Sequence, residues 1–188
     1  MTTADITFAA QDGWEEWLEK NHDAQSGVWL RIAKKDSGVR TVSYGEALDA
    51  ALCFGWIDGQ RKSLDATYWS IRFTPRRANS RWSKVNRGKA EALIAQGRMR
   101  EPGLREVELA KSDGRWDAAY ESQKSMRVPA DLQAALDENP AAKEFFAELD
   151  SKNRYAILYR IQDAKKPETR ARRLQKYLDM LNRREKIY

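Results

Sequence analysis

The chain has 188 residues, of which 41% are hydrophobic and 33% charged, a globular balance that excludes a disordered polypeptide and leaves room for one large domain or two small ones. A single cysteine, Cys53, excludes an intrachain disulfide and suits a reducing compartment, so a cytoplasmic location is expected. The opening Met-Thr-Thr-Ala-Asp-Ile-Thr-Phe lacks the basic region and apolar run of about 7–15 residues that mark a signal peptide, and no window approaches the roughly 18 apolar residues of a membrane span.

Asp5 to Phe8 is expected to open as a short strand. A helix is predicted over about 13 to 22, capped by Asp12, with Trp14, Trp17 and Leu18 on one face. Gly27-Val-Trp-Leu-Arg-Ile-Ala-Lys-Lys alternates as a strand does and ends in the turn cluster Asp36-Ser-Gly38. Ser43 followed three residues later by Glu46 is a capping-box pattern, and Ala47, Leu48, Ala51 and Leu52 supply that helix with its apolar face up to Gly55. The segments from Trp56 to Leu64 and from Thr67 to Thr74 read as a hairpin joined through Asp65-Ala66, with Trp69, Ile71 and Phe73 on one side. Pro75, which has no N–H to donate, ends the ladder.

Beyond Pro75 the pattern is helical, over about 83 to 97, 102 to 113, 130 to 138, 140 to 149, 152 to 165 and 167 to 183, with Pro129, Pro140 and Pro167 read as first-turn prolines. The fold class is therefore α+β: an N-terminal part with a small antiparallel sheet and helices, and an all-helical C-terminal part. The expected divisions are an α+β domain with a basic loop-helix segment over 1–120, a linker over 121–129 and a helical module over 130–188.

The net charge of +6 is unevenly spread. Residues 72 to 100 hold nine Lys/Arg against one Asp/Glu, a local charge of +8, and residues 165 to 188 hold nine against three, a local charge of +6. The first stretch runs into a helix start at Ser80 or Ser83, where free N–H groups and the positive dipole end, with Arg76, Arg77 and Arg81, suit a phosphate or carboxylate. The opposing reading makes Ser83 only a cap, Trp82 only a core anchor and the arginines a solvated face. On the last helix, Ala171, Leu174, Leu178 and Leu181 form an apolar stripe opposite Arg172, Lys176 and Arg183, the pattern of an ordinary amphipathic helix.

Recognisable catalytic apparatus is missing. His22 is the only histidine and stands at a helix end, and Cys53 lies in the apolar run Ala50-Ala-Leu-Cys-Phe54, so a Cys/His nucleophile or zinc site is not expected. No Walker or Rossmann glycine loop, nucleophile elbow or EF-hand spacing occurs, and no cofactor is called for. Asp58, in Gly55-Trp-Ile-Asp-Gly59, is the one carboxylate placed to orient an arginine or act as a base. As a turn-forming or salt-bridged residue it needs neither role.

Glu46-Ala-Leu-Asp-Ala-Ala-Leu-Cys-Phe-Gly-Trp-Ile-Asp-Gly59, Thr74-Pro-Arg-Arg77, Ser80-Arg-Trp-Ser-Lys-Val-Asn86, Gly97-Arg-Met99, Asp113-Gly-Arg-Trp-Asp-Ala-Ala-Tyr120 and Ala164-Lys-Lys-Pro-Glu-Thr-Arg-Ala-Arg-Arg173 together resemble the YdeI/OmpD-associated, OmdA-like bacterial family along nearly the whole chain. From about Val128 the chain looks like that family's helical module, sometimes labelled bacteriocin-protection. The resemblance implies a bacterial, mainly cytosolic protein linked by name to envelope stress or toxin tolerance. It carries over no catalytic residue or cofactor, and it implies a glycine after the last helix, where this chain has Arg184.

The expected function is non-catalytic binding of an anionic small molecule or an acidic protein segment. In a groove built from the hairpin and the helix beginning near Ser83, Arg76, Arg77 and Arg81 would supply charge, Ser80, Ser83 and Asn86 hydrogen bonds, and Trp82 a stacking wall, with Asp58 and Arg61 also counted among the binding residues. Single-stranded nucleic acid is the alternative partner, because Tyr68, Trp69, Phe73 and Trp82 interleave with arginines. An enzyme using Asp58 is the second alternative.

Overall fold

The computed structural model describes residues 5–122 and 126–188. It divides into two compact units, Met1–Ala119 and Tyr120–Tyr188. Part of the expected linker, residues 123–125, lies outside the described residues, as do the first four residues of the opening segment. No described helix is long and apolar enough to cross a membrane.

The first unit runs α1 (Gln11–Asn21), β1 (Val28–Ala33), α2 (Tyr44–Cys53), β2 (Trp56–Ser63), β3 (Tyr68–Pro75), α3 (Lys84–Ala95) and α4 (Glu101–Ser112). The strands form an antiparallel sheet of order β1-β3-β2. Pairing of β1 with β3 sets Val28, Leu30 and Ile32 beside Phe73, Ile71 and Trp69, so the alternation read from the sequence produces one apolar face. That face packs with Trp14 and Leu18 of α1 and Ala47, Leu48, Ala51 and Leu52 of α2 in a single core. The buried Trp14 indole donates to the Ala47 carbonyl at 3.0 Å, which satisfies its N–H while tying α1 to α2.

Ser43 and Glu46 form the expected capping box: Glu46 accepts from the Ser43 amide at 2.8 Å, and the Ser43 hydroxyl accepts from the Glu46 amide at 3.3 Å. α2 stops at Gly55, whose φ of +72° turns the chain into β2. Its last carbonyls then meet Gly103 of α4, where a Cβ would lie 2.3 Å from the Cys53 oxygen, so only glycine permits the observed closeness.

Two local expectations for the first unit fail. Asp5 to Phe8 forms no strand, because after a single parallel bridge between Ile6 and Leu30 the chain turns into α1. Asp12 does not cap α1: Ala10 holds the N-cap position without a side-chain bond, and Asp12 sits in the first turn, where its charge still faces the positive dipole end.

The second unit comprises α5 (Ala130–Asp137), α6 (Pro140–Glu148), α7 (Ser151–Gln162) and α8 (Pro167–Asn182). Pro140 and Pro167 begin their helices, whereas Pro129 is the N-cap of α5, one position before the first turn. Leu132, Leu136, Phe145, Phe146, Ile157 and Ile161 close a core with Tyr177, Leu178 and Leu181 of α8. The buried stripe of α8 thus follows 174, 177, 178 and 181, while Ala171 is exposed.

Arg184 takes the left-handed conformation, with φ of 54°, at the position where glycine was implied. The Arg184 amide donates to Leu181 O and the Glu185 amide to Met180 O, both at 2.9 Å, so the α8 terminus closes as a Schellman motif without glycine. The fold is α+β: the first unit combines the three-stranded sheet with α1–α4, and from residue 130 onward the elements are all helices.

Candidate functional site

The basic loop after β3 is built around an internal stack. The Arg76 amide donates to Gly55 O at 2.9 Å, and its guanidinium lies 3.6 Å from the centre of the Trp82 ring. Arg76 is 7% and Trp82 1% exposed, so this cation is held in the core and Trp82 presents no open ring face to a ligand. Trp82 also packs edge-on against Trp116, with ring centres 4.8 Å apart. Glu106 shares this environment: burial pushes its carboxyl up, while Arg115, Arg76 and Arg105 pull it down.

Arg77 and Arg81 are exposed. The Ser80 hydroxyl accepts from the Arg77 amide at 2.8 Å, and the Ser80 carbonyl accepts from Arg115 at 2.9 Å, so Ser80 shapes the loop. Ser83 caps α3 by accepting from the Asn86 amide at 3.1 Å, which occupies part of the N-terminal anion position the sequence suggested. Two cations of the same stretch are neutralised by acids from elsewhere in the unit. Lys89 meets Asp49 at 2.6 Å and Arg98 meets Glu15 at 3.0 Å, pairings between distant segments that charge counting along the chain does not reveal.

Asp58 and Arg61 come together elsewhere, on the inner face of the sheet. Residues three apart in a regular strand point to opposite faces, but a bulge between Asp58 and Arg61 sets Asp58 beside Phe73 and Arg61 beside Ile71. Tyr44, the first residue of α2, donates its hydroxyl to Asp58 Oδ2 at 2.9 Å. Burial, reinforced by the Asp58 carboxylate, pushes the Tyr44 phenol well above its ordinary range, so it stays a hydrogen-bond donor. Among the described residues, Asp58 is held by this tyrosine and by no arginine of the basic loop.

The Arg61 guanidinium lies 4.6 Å from the centre of Trp69, whose ring neighbours Tyr44 at 6.1 Å. These groups adjoin a cleft of about 440 Å³ lined by Lys34, Lys35, Arg61, Lys62, Ser63 and Trp69. Its wall residues include four of Lys/Arg type and no Asp or Glu. Lys34 donates to the Asp65 carbonyl at 2.6 Å and Lys62 pairs with Asp5 at 3.1 Å, which leaves Lys35 and Arg61 as the cations of the wall with neither a carbonyl nor a carboxylate partner among the described residues. Sequence reasoning selected Arg61 and Asp58 but missed Tyr44 and Lys35. The position of Tyr44 inside the Ser43–Glu46 capping box, as the first residue of the helix, was the available signal.

The titratable groups set aside from the sequence lie apart from this cleft. Cys53 is 3% exposed, and burial pushes its thiol up to about 11, which removes its nucleophilic form at neutral pH. His22 Nδ1 lies 3.0 Å from the Leu18 carbonyl, and its ring packs on Phe54. Among the described residues no group of three or more His, Cys, Asp or Glu is placed to hold a metal ion.

A small three-stranded sheet backed by helices, followed by a separate four-helix unit, defines a two-part chain whose halves match different families. Residues 6–106, more than half of the sequence, match the family described as Domain of unknown function (DUF8412), and the chain belongs to it. Residues 125–184 match the family described as Bacteriocin-protection, YdeI or OmpD-Associated, OmdA, so the C-terminal unit carries that module. The OmdA match covers that module alone, whereas the resemblance read from the sequence ran along nearly the whole chain. No curated protein and no solved structure is significantly similar to the chain.

Proposed function

We propose that the protein is a non-catalytic, cytoplasmic bacterial binding protein whose N-terminal unit takes an anionic ligand, or the acidic side chains of a partner segment, in the cleft beside Arg61 and Trp69. The observation that carries this reading is the composition of the walls: Lys35 and Arg61 face a concave space without a neutralising carboxylate, next to an aromatic surface. The bulge that brings Arg61 onto the Asp58 face supports it, because bulges commonly redirect a side chain at a binding site. The description of the C-terminal family motivates placing this binding in stress or bacteriocin tolerance.

Thermal shift against phosphorylated and carboxylated metabolites tests the reading. A ligand at a hundredfold excess over its Kd stabilises the protein by about 2.7 kcal/mol, a readily measured rise in melting temperature. The rise is expected to vanish in Lys35→Ala/Arg61→Ala and to persist in Arg77→Ala/Arg81→Ala. The reverse pattern moves the site to the loop before α3, and no response from the parent protein removes the reading.

A second reading, single-stranded nucleic acid, is favoured by the outer face of the same sheet. There the register gathers Trp29, Arg31, Tyr68, Lys62 and Arg72, with Lys62 4.3 Å from the Trp29 ring centre and Arg31 5.6 Å from that of Tyr68. Binding to a mixed-sequence single strand that weakens steeply with salt and is lost in Trp29→Ala/Tyr68→Ala would support it. Retention in that variant would dismiss it.

A further inference from the structure

The C-terminal unit has a basic cleft of its own. It measures about 690 Å³ and is lined on α7 by Tyr159, Arg160 and Asp163 and on α8 by Arg172, Arg173, Lys176 and Tyr177. Four cationic side chains face one carboxylate.

The cations differ in what they already do. Arg173 donates to the Arg160 carbonyl and lies 3.4 Å from Asp163, so it satisfies a carbonyl of the last turn of α7 and pairs with the single acid of the wall. Arg170, just outside the cleft, does the same for the Ile161 carbonyl at 2.9 Å. Arg160 donates to the Tyr188 hydroxyl at 3.2 Å. These contacts account for the three arginines as helix-end partners and tail anchors.

Arg172 and Lys176 have no such account. Both are exposed, and among the described residues neither has a carboxylate or carbonyl partner. They stand four positions apart on α8, on the same side of the helix, where two like charges repel. A helix that needed only solubility would gain by setting an acid at one of these places, as Glu101 and Arg105 do in α4.

We propose that this cleft binds a compact phosphate-bearing ligand, gripped by Arg172 and Lys176 with Arg160 on the opposite wall. The guanidinium supplies planar paired donors and the ammonium a mobile point charge, the combination that suits oxygens of a phosphoryl group. One internal carboxylate, already engaged by Arg173, leaves the excess charge directed at the ligand.

The test is calorimetric titration of inorganic pyrophosphate into the full chain carrying Lys35→Ala/Arg61→Ala, which silences the N-terminal cleft and keeps this result separate from the fate of the function proposed above. One binding event is expected near physiological ionic strength. Adding Arg172→Ala/Lys176→Ala should weaken it at least tenfold, while the charge-retaining exchange Arg172→Lys/Lys176→Arg should keep it within about threefold. Both positions are exposed, and an unchanged far-UV circular dichroism spectrum shows that the fold survives. No binding, or an affinity unaffected by the alanine pair, overturns the proposal. Vesicles of phosphatidylglycerol bound through the same two residues, with no competition from pyrophosphate, overturn it in favour of a lipid surface.

Discussion

Replacing Gly88 and Gly103 by alanine, one at a time, should move the stability of the N-terminal unit in opposite directions. Gly88 lies within α3, and a Cβ there meets nothing within 4 Å. Alanine costs less backbone entropy than glycine in a helix, so Gly88→Ala should stabilise by about 1 kcal/mol. Gly103 lies in α4, where the same Cβ would stand 2.3 Å from the Cys53 oxygen and 2.7 Å from the Leu52 oxygen. Those atoms are backbone, and the Cys53 carbonyl is further fixed by the Arg100 amide at 3.1 Å, so no rotamer change relieves the clash.

To reach an ordinary contact of 3.4 Å, α4 must retreat by about 1 Å, loosening the wholly buried Val107 and Ala110. Overpacking of this kind costs about 1–3 kcal/mol, and because the clash is with backbone that cannot step aside the upper end applies, so against a propensity gain of about 1 kcal/mol the net loss is up to about 2 kcal/mol. Urea unfolding followed by tryptophan fluorescence measures both variants, because all seven tryptophans, from Trp14 to Trp116, belong to this unit. A Gly103→Ala protein as stable as its parent would refute the reasoning about the α2–α4 approach.

Arg76→Ala should destabilise the same unit by about 2 kcal/mol through loss of the buried stack on Trp82, whereas Arg77→Ala should stay within about 0.5 kcal/mol, both read in the same urea titrations. At the α8 terminus, Arg184→Gly should exceed Arg184→Ala in stability by about 1 kcal/mol. Both substitutions lose the contacts to Glu148 and Phe145, and only glycine relieves the left-handed backbone; the C-terminal unit's transition by circular dichroism reports the difference. The hydrogen bonds from Arg170 to Asp131, at 2.6 and 2.9 Å, hold the Asp131 carboxyl below its ordinary range. That pair therefore stabilises above the unfolded aspartate pKa of ~3.9 and is lost as pH falls through the lowered folded value. Asp131→Asn should cost up to about 1 kcal/mol at neutral pH, a gap that closes on acidification in a pH series of thermal melts.

The elements set by local rules were readable from the chain. The Ser43–Glu46 box, the Ser83 cap, Pro140, Pro167 and the alternation through Ile71 and Phe73 each act within a few residues, and each stands where the pattern put it. What escaped depends on partners remote in sequence. An arginine's inward turn, as at Arg76, requires an aromatic face that only the folded loop supplies. A strand register gives no notice of a one-residue bulge, so the shared face of Asp58 and Arg61 was invisible, as was the Tyr44 hydroxyl that reaches Asp58 across fourteen positions. The basic run of residues 72 to 100 looked like one patch because Asp49 and Glu15, which neutralise part of it, lie far upstream.

Asn153, only 2% exposed, takes the amides of Ile187 and Tyr188 on its side-chain oxygen at 2.9 and 3.0 Å while its own side-chain nitrogen leans on Asp150 at 2.8 Å. One asparagine therefore works as a clasp, fastening the segment after α8 to the start of α7, and through Tyr188 it also steadies the arginine at the rim of the basic cleft. Undoing the clasp would leave the helices in place yet loosen a wall of that cleft, so fraying of the tail and weakening of anion capture should rise and fall together.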